Sequence, residues 1–314
     1  MMDPTHGRTL RLGTRGSKLA RWQAEWVAGE LRRLGHEVEL IDIATRGDIQ
    51  QVAPVEEIGT RGVFTKEIQR AVLAGDVDLG VHSLKDLPTE PVEGLILAAV
   101  PVRESAADVV VARCAELVAR REEQVASRED FLAEIPQGAR VGTGSLRRQS
   151  QLRYLRPDLR VEDVRGNVDT RLRKLDEGQF DAVVLAEAGL RRLGLADRVT
   201  QTLPLKVMLP AVGQGALAIE CRTDDERTRA ILTPLDDSEA RAAVTAERAL
   251  LEHLRGGCMA PIGAYGRFEA GRLHLSAVVL SVDGTQRLAA IDEGLASEAE
   301  LLGRRVAESL LAQG

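Results

Sequence analysis

The chain has 314 residues, room for two or three domains at ~150 residues each, and its 44% hydrophobic and 29% charged residues exclude disorder. A formal net charge of -6 excludes a general polyanion binder, and 3% aromatic residues are too few for a stacking platform on single-stranded nucleic acid. No run approaches the ~18 apolar residues of a membrane span.

In chain order, Leu10–Arg15 is short and apolar at alternate positions, and Ser17 then caps a helical stretch to Leu34, with apolar residues at 19, 22, 26, 27, 31 and 34. A strand is predicted over His36–Ala44, a polar glycine-bearing loop over Arg46–Gly62 and a helix over Phe64–Leu73. Strands at Leu79–Ser83 and Leu95–Val102 complete a β-α-β-α-β rhythm, the signature of a parallel or mixed sheet covered by helices. A second unit opens with DVVVA (108–112), followed by the charged, helix-compatible stretch Cys114–Phe131. It continues with strand Ala139–Gly142, helix Ser145–Leu155, strand Arg160–Val164, helix Val168–Glu177 and strand Asp181–Leu185. Gly213–Cys221 reads as a further strand. A third unit has helix Ser238–Leu254, three strands (263–269, 272–282, 286–292) and a closing helix at 297–312, giving α-β-β-β-α.

Four polar clusters fall at strand ends or in loops, where open α/β sheets bind ligands. Thr14-Arg15-Gly16-Ser17 joins a strand to a helix start; it suits an anion or is a plain serine cap. His82-Ser83-Leu84-Lys85-Asp86-Leu87-Pro88 ends a strand. Its Lys–Asp pair is either a solvated turn or a carboxylate among cations able to stabilise a developing cation or move a proton, and His82 itself reads as a hydrogen-bonded structural residue. Gly142-Thr143-Gly144-Ser145-Leu146-Arg147-Arg148-Gln149 is a strand–turn–helix start with two adjacent arginines. From Arg140 to Arg173 nine Arg face four acids, a local excess of five positive charges in an acidic chain, so the arginines beside glycine turns look aimed at carboxylates or phosphates. Gly256-Gly257-Cys258-Met259 follows a helix end; its cysteine is either a small buried hydrophobe or an available thiol. The glycine loops at 142–144 and 213–215 lack the spacing and lysine of phosphate-binding fingerprints. Cys114, Cys221 and Cys258 are too far apart for a disulfide framework or a CxxC zinc site, and the opening MMDPTHGRTL lacks the apolar core of a secretory signal. A reduced, cytoplasmic chain is expected.

In combination, LRLGTRGSKLA (10–20), TRGD (45–48), GVFTKE (62–67), VHSLKDLP (81–88), VGTGSLRRQ (141–149), LRPDL (155–159), RGNVDTRL (165–172), LAEAGLRRLG (185–194), LPAVGQGALAIECR (209–222) and VTAERALLEHLRGGCMAPIGAY (244–265) resemble the hydroxymethylbilane synthase (porphobilinogen deaminase) family. The order and spacing of these motifs carry the resemblance over nearly the whole chain. It implies an α/β protein of three domains: 7–102 with 215–233, 106–210, and 238–314. The first two would form a two-lobed fold of the type II periplasmic-binding-protein kind, and the third a small α/β domain with a three-stranded sheet. It also implies a dipyrromethane cofactor held by a thioether to Cys258, a catalytic carboxylate at Asp86, and no metal. Cofactor and substrate would be bound by Arg15, Ser17, Arg61, Lys66, Lys85, Thr143, Ser145, Arg147, Arg148, Arg165, Arg171, Ala186, Gly189 and Arg192. Two departures stand out: Arg61 replaces the lysine often found in the family's glycine loop, which changes reach and geometry, and residues 114–133 look longer than the usual connection.

The reaction implied joins four porphobilinogen molecules head to tail with loss of ammonia. Two rings of primer and four of substrate carry a dozen carboxylates, and burying them unpaired would be prohibitive; hence the arginines. The partner expected is the small-molecule substrate alone, with no nucleic acid, no membrane and a monomeric protein. The competing class is a cytosolic two-lobed binding module for a small polycarboxylate, whose intact mass would equal its sequence mass, without a covalent dipyrromethane.

Overall fold

The computed structural model describes residues 9–45, 65–113, 132, 135–256 and 260–314. The expected stretches at Arg46–Gly62 and Cys114–Phe131, the first residue of the Phe64–Leu73 helix, and the segment Gly257–Met259 lie outside the described residues.

The first sheet contains β1 (Leu10–Thr14), β2 (Val38–Asp42), β3 (Leu79–Ser83), β4 (Leu95–Ala99) and β10 (Leu217–Arg222) in the order β2-β1-β3-β10-β4. β1 runs parallel to β2 and β3, and β10 is antiparallel to β3 and β4. The second sheet repeats this plan. β5 (Asp108–Ala112), β6 (Arg140–Gly142), β7 (Arg160–Glu162), β8 (Ala182–Ala186) and β9 (Gln201–Leu203) take the order β7-β6-β8-β5-β9, with β6 parallel to β7 and β8, and β5 antiparallel to β8 and β9. The chain crosses between the sheets twice, at 100–107 and 204–216, and each inserted antiparallel strand directly follows a crossover. Two like sheets joined by two crossovers make the two-lobed, type II periplasmic-binding-protein-like arrangement.

Helices cover both sheets. α1 (Lys18–Arg33) buries Gln23, Ala24, Val27, Ala28 and Leu31, one stripe at helical spacing, on the first sheet. α2 (Lys66–Ala74) lays Ile68 and Val72 on the opposite face and stops at Gly75 in the left-handed region. In the second lobe α3 (Leu146–Leu155), α4 (Val168–Asp176) and α5 (Glu187–Arg192) follow β6, β7 and β8, and valines on alternate positions of β5 feed two cores, Val110 one and Val109 and Val111 the other. After β10, α6 (Glu226–Leu232) leads to the third unit, in which α7 (Ser238–His253) and α8 (Ala299–Leu311) pack on one face of the antiparallel sheet β11 (Ile262–Glu269), β12 (Arg272–Leu280) and β13 (Arg287–Gly294). Each fully buried leucine there, such as Leu250, Leu273, Leu275 and Leu302, contributes about 1.5–3 kcal/mol.

Gly213–Cys221 differs from its expected strand, since β10 begins only at Leu217. Gly213 and Gly215 are left-handed (φ +71° and +87°), and a Cβ on Gly215 would meet Ser105 O at 2.7 Å, so this stretch is a turn pressed against the other crossover. Glu247 of α7 joins these segments to the third unit. Fully buried, it accepts hydrogen bonds from Arg103 Nη1 at 2.6 Å, from the Gly213 N–H at 2.7 Å and from the Gly266 N–H at 2.7 Å.

Candidate functional site

The parallel strands of both lobes end at one edge of their sheets, and the clusters singled out in the sequence follow those ends: Arg15–Ser17 after β1, Lys85 and Asp86 after β3, Thr143–Arg148 after β6, and Ala186–Gly189 at the end of β8 and in α5. Because β5 and β10 are antiparallel, their first residues reach the same edge and bring Asp108 and the 213–215 turn with them.

In the first lobe Ser17 is the N-cap of α1 and accepts the Ala20 N–H at 3.3 Å, while Thr14 Oγ1 donates to Ala20 O at 3.1 Å. Ser17 therefore caps α1, and Arg15 stands beside it, partly exposed. β3 tightens into a 3₁₀ turn, Leu84–Asp86, pinned by the Leu84 N–H on Ala216 O at 3.0 Å and by burial of the Leu84 side chain. Lys85 is partly exposed as a residue, but burial, followed by the charges of Arg148 and Arg147, pulls its ammonium down to about 8 against the opposing influence of Asp86 and Asp108. Arg171, which donates from Nε to Gly166 O at 2.8 Å, is likewise lowered to about 10, by burial first and Arg148 second, with Asp163 and Asp86 opposing. Lys85, Asp86, Arg148 and Arg171 thus form one charge cluster drawn from both lobes.

Arg147 and Arg148 begin α3 after Thr143 and Ser145. Thr143 is fully buried, and its hydroxyl accepts the Ser145 N–H at 3.3 Å; Ser145 holds the N-cap position without a side-chain capping bond. Both arginines are buried, at 3% and 5% exposure, on a residue the sequence analysis did not single out. Asp108, fully enclosed, accepts Arg147 Nη1 at 2.7 Å, Arg148 Nε at 3.0 Å and Nη2 at 2.7 Å, and Gln214 Nε2 at 2.8 Å. Burial pushes its carboxyl up, but the two guanidiniums reverse this and hold it far below the usual carboxylate range. Arg147 Nη1 also reaches Leu209 O at 2.7 Å, whereas its Nε is buried with no partner among the described residues.

Three of the five excess positive charges counted between 140 and 173 are met by acids from outside that window. Arg140 pairs with Asp181 at 3.1 Å, Arg173 with Glu177 at 2.9 Å, and Arg147 and Arg148 with Asp108; inside it, Arg156 pairs with Asp158 and Arg165 with Asp163, both at 2.7 Å. Arg192 lies between the lobes: buried, it donates to Gly215 O at 2.6 Å and stacks 5.9 Å from the Trp22 ring. Gly189 is buried in α5, where a Cβ would stand 3.8 Å from Leu19 of α1. Lys66 is the first residue of α2 and exposed. His82 is buried with Nε2 3.1 Å from Glu220 Oε2, though not aligned for a hydrogen bond, and Gln69 donates to the same carboxylate at 3.0 Å. Cys221 is buried and its thiol pushed up to about 11, which removes it as a nucleophile at neutral pH. Arg61 and Cys258 lie outside the described residues. Those residues hold no group of His, Cys, Asp and Glu that could bind a metal ion, and no helix long and apolar enough to cross a membrane.

Two buried cations (Arg147, Arg148) and two partly buried ones (Lys85, Arg171) against two carboxylates (Asp86, Asp108), with a buried guanidinium N–H left unpartnered among the described residues, suit a ligand that brings several carboxylates. That charge balance suits a ligand with several acid groups and not a neutral one.

Residues 10–230 match the family model described as porphobilinogen deaminase, dipyromethane cofactor binding domain, and residues 241–312 match that of the porphobilinogen deaminase C-terminal domain. The chain is 50% identical over 309 residues to the porphobilinogen deaminase of Desulforudis audaxviator, covering 98% of this chain and 96% of that one. To the porphobilinogen deaminase of Geobacter metallireducens it is 46% identical over 309 residues, covering 98% and 92%. Among solved structures, the methionine binding protein MetQ is similar at a TM-score of 0.44 and 14% identity, over 76% of this chain and 93% of that one. The chain belongs to the porphobilinogen deaminase family, the hydroxymethylbilane synthases: transferases of tetrapyrrole biosynthesis that join porphobilinogen units on a dipyrromethane cofactor.

Proposed function

We propose that Asp86 is the catalytic carboxylate and Cys258 the cofactor-attachment residue, with Lys85, Arg147, Arg148 and Arg171 holding the carboxylates of cofactor and substrate. The observation that carries this reading is the single charge cluster of Asp86 with Lys85, Arg148 and Arg171, assembled from both lobes at the ligand-binding edge of the sheets. Arg15, Ser17, Lys66, Thr143, Ser145, Arg165, Ala186 and Gly189 line or adjoin that edge in the family's motifs, and Arg61 and Arg192 complete the proposed set.

The chemistry at the cluster follows from charge. Two-pronged guanidiniums fix the ring carboxylates, and through them the rings, in line for reaction. Loss of ammonia turns the incoming porphobilinogen into a cationic methylene-pyrrolenine. The neighbouring cations have the wrong sign to stabilise it, whereas Asp86 can accept pyrrole N–H groups, stabilise the positive charge and take up the proton released when rings join. When bound, the dipyrromethane supplies the nucleophilic pyrrole carbon from which the chain starts. The burial of Arg147 and Arg148 limits the water that would otherwise screen these interactions.

We further propose the division 7–102 with 215–233, 106–210, and 238–314 as functional domains, and action as a cytoplasmic monomer. One chain supplies both faces of the cluster, and the attachment role needs a reduced thiol at Cys258.

The test is intact mass. The purified protein should exceed its sequence mass by one dipyrromethane, and brief exposure to porphobilinogen should add a ladder of up to four equal increments. Cys258→Ser should fold without the added mass, and Asp86→Asn should carry the cofactor yet hardly climb the ladder. Holo Asp86→Asn climbing at the parent rate would place the catalytic group elsewhere.

A further inference from the structure

The carboxylate-binding arginines are not free-standing, and what holds them is joined to the connections between the lobes. Asp108 is the first residue after the first crossover, and Gln214 lies on the second, between two left-handed glycines. The Gln214 side chain bonds in three directions: Nε2 donates to Ala106 O on the other crossover at 2.8 Å and to Asp108 Oδ1 at 2.8 Å, and Oε1 accepts Arg148 Nη2 at 3.3 Å. Its backbone carbonyl accepts Arg103 Nε at 2.8 Å. Gln214 is 1% exposed and Asp108 fully buried, so these bonds do not compete with water.

We propose that Gln214 and Asp108 are positioning residues that couple the crossovers to the aim of Arg147 and Arg148, so that a shift of one lobe against the other redirects the guanidinium pair. This rests on the reading of that pair as the holder of ligand carboxylates. The chain grows from two rings to six, whereas the enclosed cations among the described residues are fixed in number, so the same guanidiniums serve successive rings. Asp108 cancels one of the pair's two charges and restrains three of its N–H groups, and Gln214 links that restraint to the lobe connection. A buried amide satisfied on three sides has one orientation, and altering it changes the aim of Arg148 without removing a charge.

The experiment uses the full-length holoprotein and follows chain length by intact mass after brief exposure to porphobilinogen, with urea unfolding in parallel. Gln214→Met keeps the side-chain volume and removes the amide; Gln214→Glu sets a second carboxylate beside Asp108; Arg148→Leu is the reference. Gln214→Met is expected to carry the cofactor and make the first addition within about threefold of the parent rate, and to accumulate later intermediates about tenfold, a factor of ten in rate being ~1.4 kcal/mol of barrier. Gln214→Glu is expected to lower the fraction of protein carrying the cofactor mass. Slowing of all four additions by one common factor, or an unchanged distribution in both Gln214 variants while Arg148→Leu stalls, overturns the positioning role alone. An unchanged distribution in Arg148→Leu as well overturns the carboxylate-holding reading and this inference with it.

Discussion

Gly284, at the tip of the β12–β13 hairpin, lies so close to α3 that a Cβ added to it would stand 2.7 Å from the Arg153 Cβ and 2.8 Å from Ser150 O. Its φ of +75° is in the left-handed region. Around this contact Arg153 Nη1 and Ser150 Oγ donate to Val282 O at 2.8 and 3.3 Å, so the hairpin of the third unit is fastened to the helix that carries Arg147 and Arg148. Gly284→Val combines backbone strain with collision and is expected to cost about 1–3 kcal/mol, read as a lowered urea midpoint at unchanged slope. A midpoint equal to the parent's would show that the hairpin lifts off freely.

Glu247 should be a costlier position. Its carboxylate is fully buried and holds Arg103 from the first crossover, the Gly213 N–H from the second and the Gly266 N–H from β11. Glu247→Leu removes the carboxylate partner of the partly buried Arg103 and the acceptor of two backbone amides, with an expected loss of about 3–5 kcal/mol. Arg103→Leu in the same background should cost much less than it does alone, because the charge that needed a partner is gone. Additive losses in the double variant would exclude the coupling.

Features fixed by neighbouring residues were legible in the sequence; those fixed by distant ones were not. Ser17 capping α1, the helix after Ser145 and the α-β-β-β-α third unit follow from local spacing, and the motif loops fall at strand ends because a parallel sheet places its strand-to-helix turns there. Asp108 was missed because its partners Arg147 and Arg148 are about 40 positions away, and inside DVVVA it looks like the flank of an apolar strand. For the same reason the arginine count overstated free charge: Asp181, Glu177 and Asp108 lie outside the window. The Gly-Gln-Gly turn was readable, since two glycines around a polar residue break a strand, but the apolar run after it drew the strand too early. α5 and β9, six and three residues long, are too short to show a period.

Cys221 offers a separate check on burial. Its thiol is enclosed in β10 and raised to about 11. Iodoacetamide at pH 8 should leave Cys221 unmodified in the folded protein and alkylate it fully in urea, as peptide mass mapping would show. Rapid native-state alkylation at Cys221 would mean that β10 opens far more readily than its position between β3 and β4 implies.

Lys85 makes the site sensitive to alkaline pH. Burial is the largest cause of its fall from 10.5 to about 8, followed by the charge of Arg148. Between about pH 8 and 10.5 the folded protein holds Lys85 neutral while the unfolded chain holds it charged, so the unfolded state binds more protons and stability rises with pH across that window. The penalty of burying the ammonium is present in full below about pH 8. On the proposed role of Lys85 in holding ligand carboxylates, binding runs the other way, since its charge is lost above about pH 8. KM for porphobilinogen is therefore expected to climb from pH 8 to 9.5, about tenfold per unit once the neutral form dominates if binding requires the ammonium, with kcat changing less. Lys85→Met should show a raised KM at pH 7 and no climb attributable to this group, and should be more stable than the parent at pH 7 with the difference shrinking above pH 8. If Lys85→Met kept the parent's alkaline climb in KM, the titrating cation would be another residue.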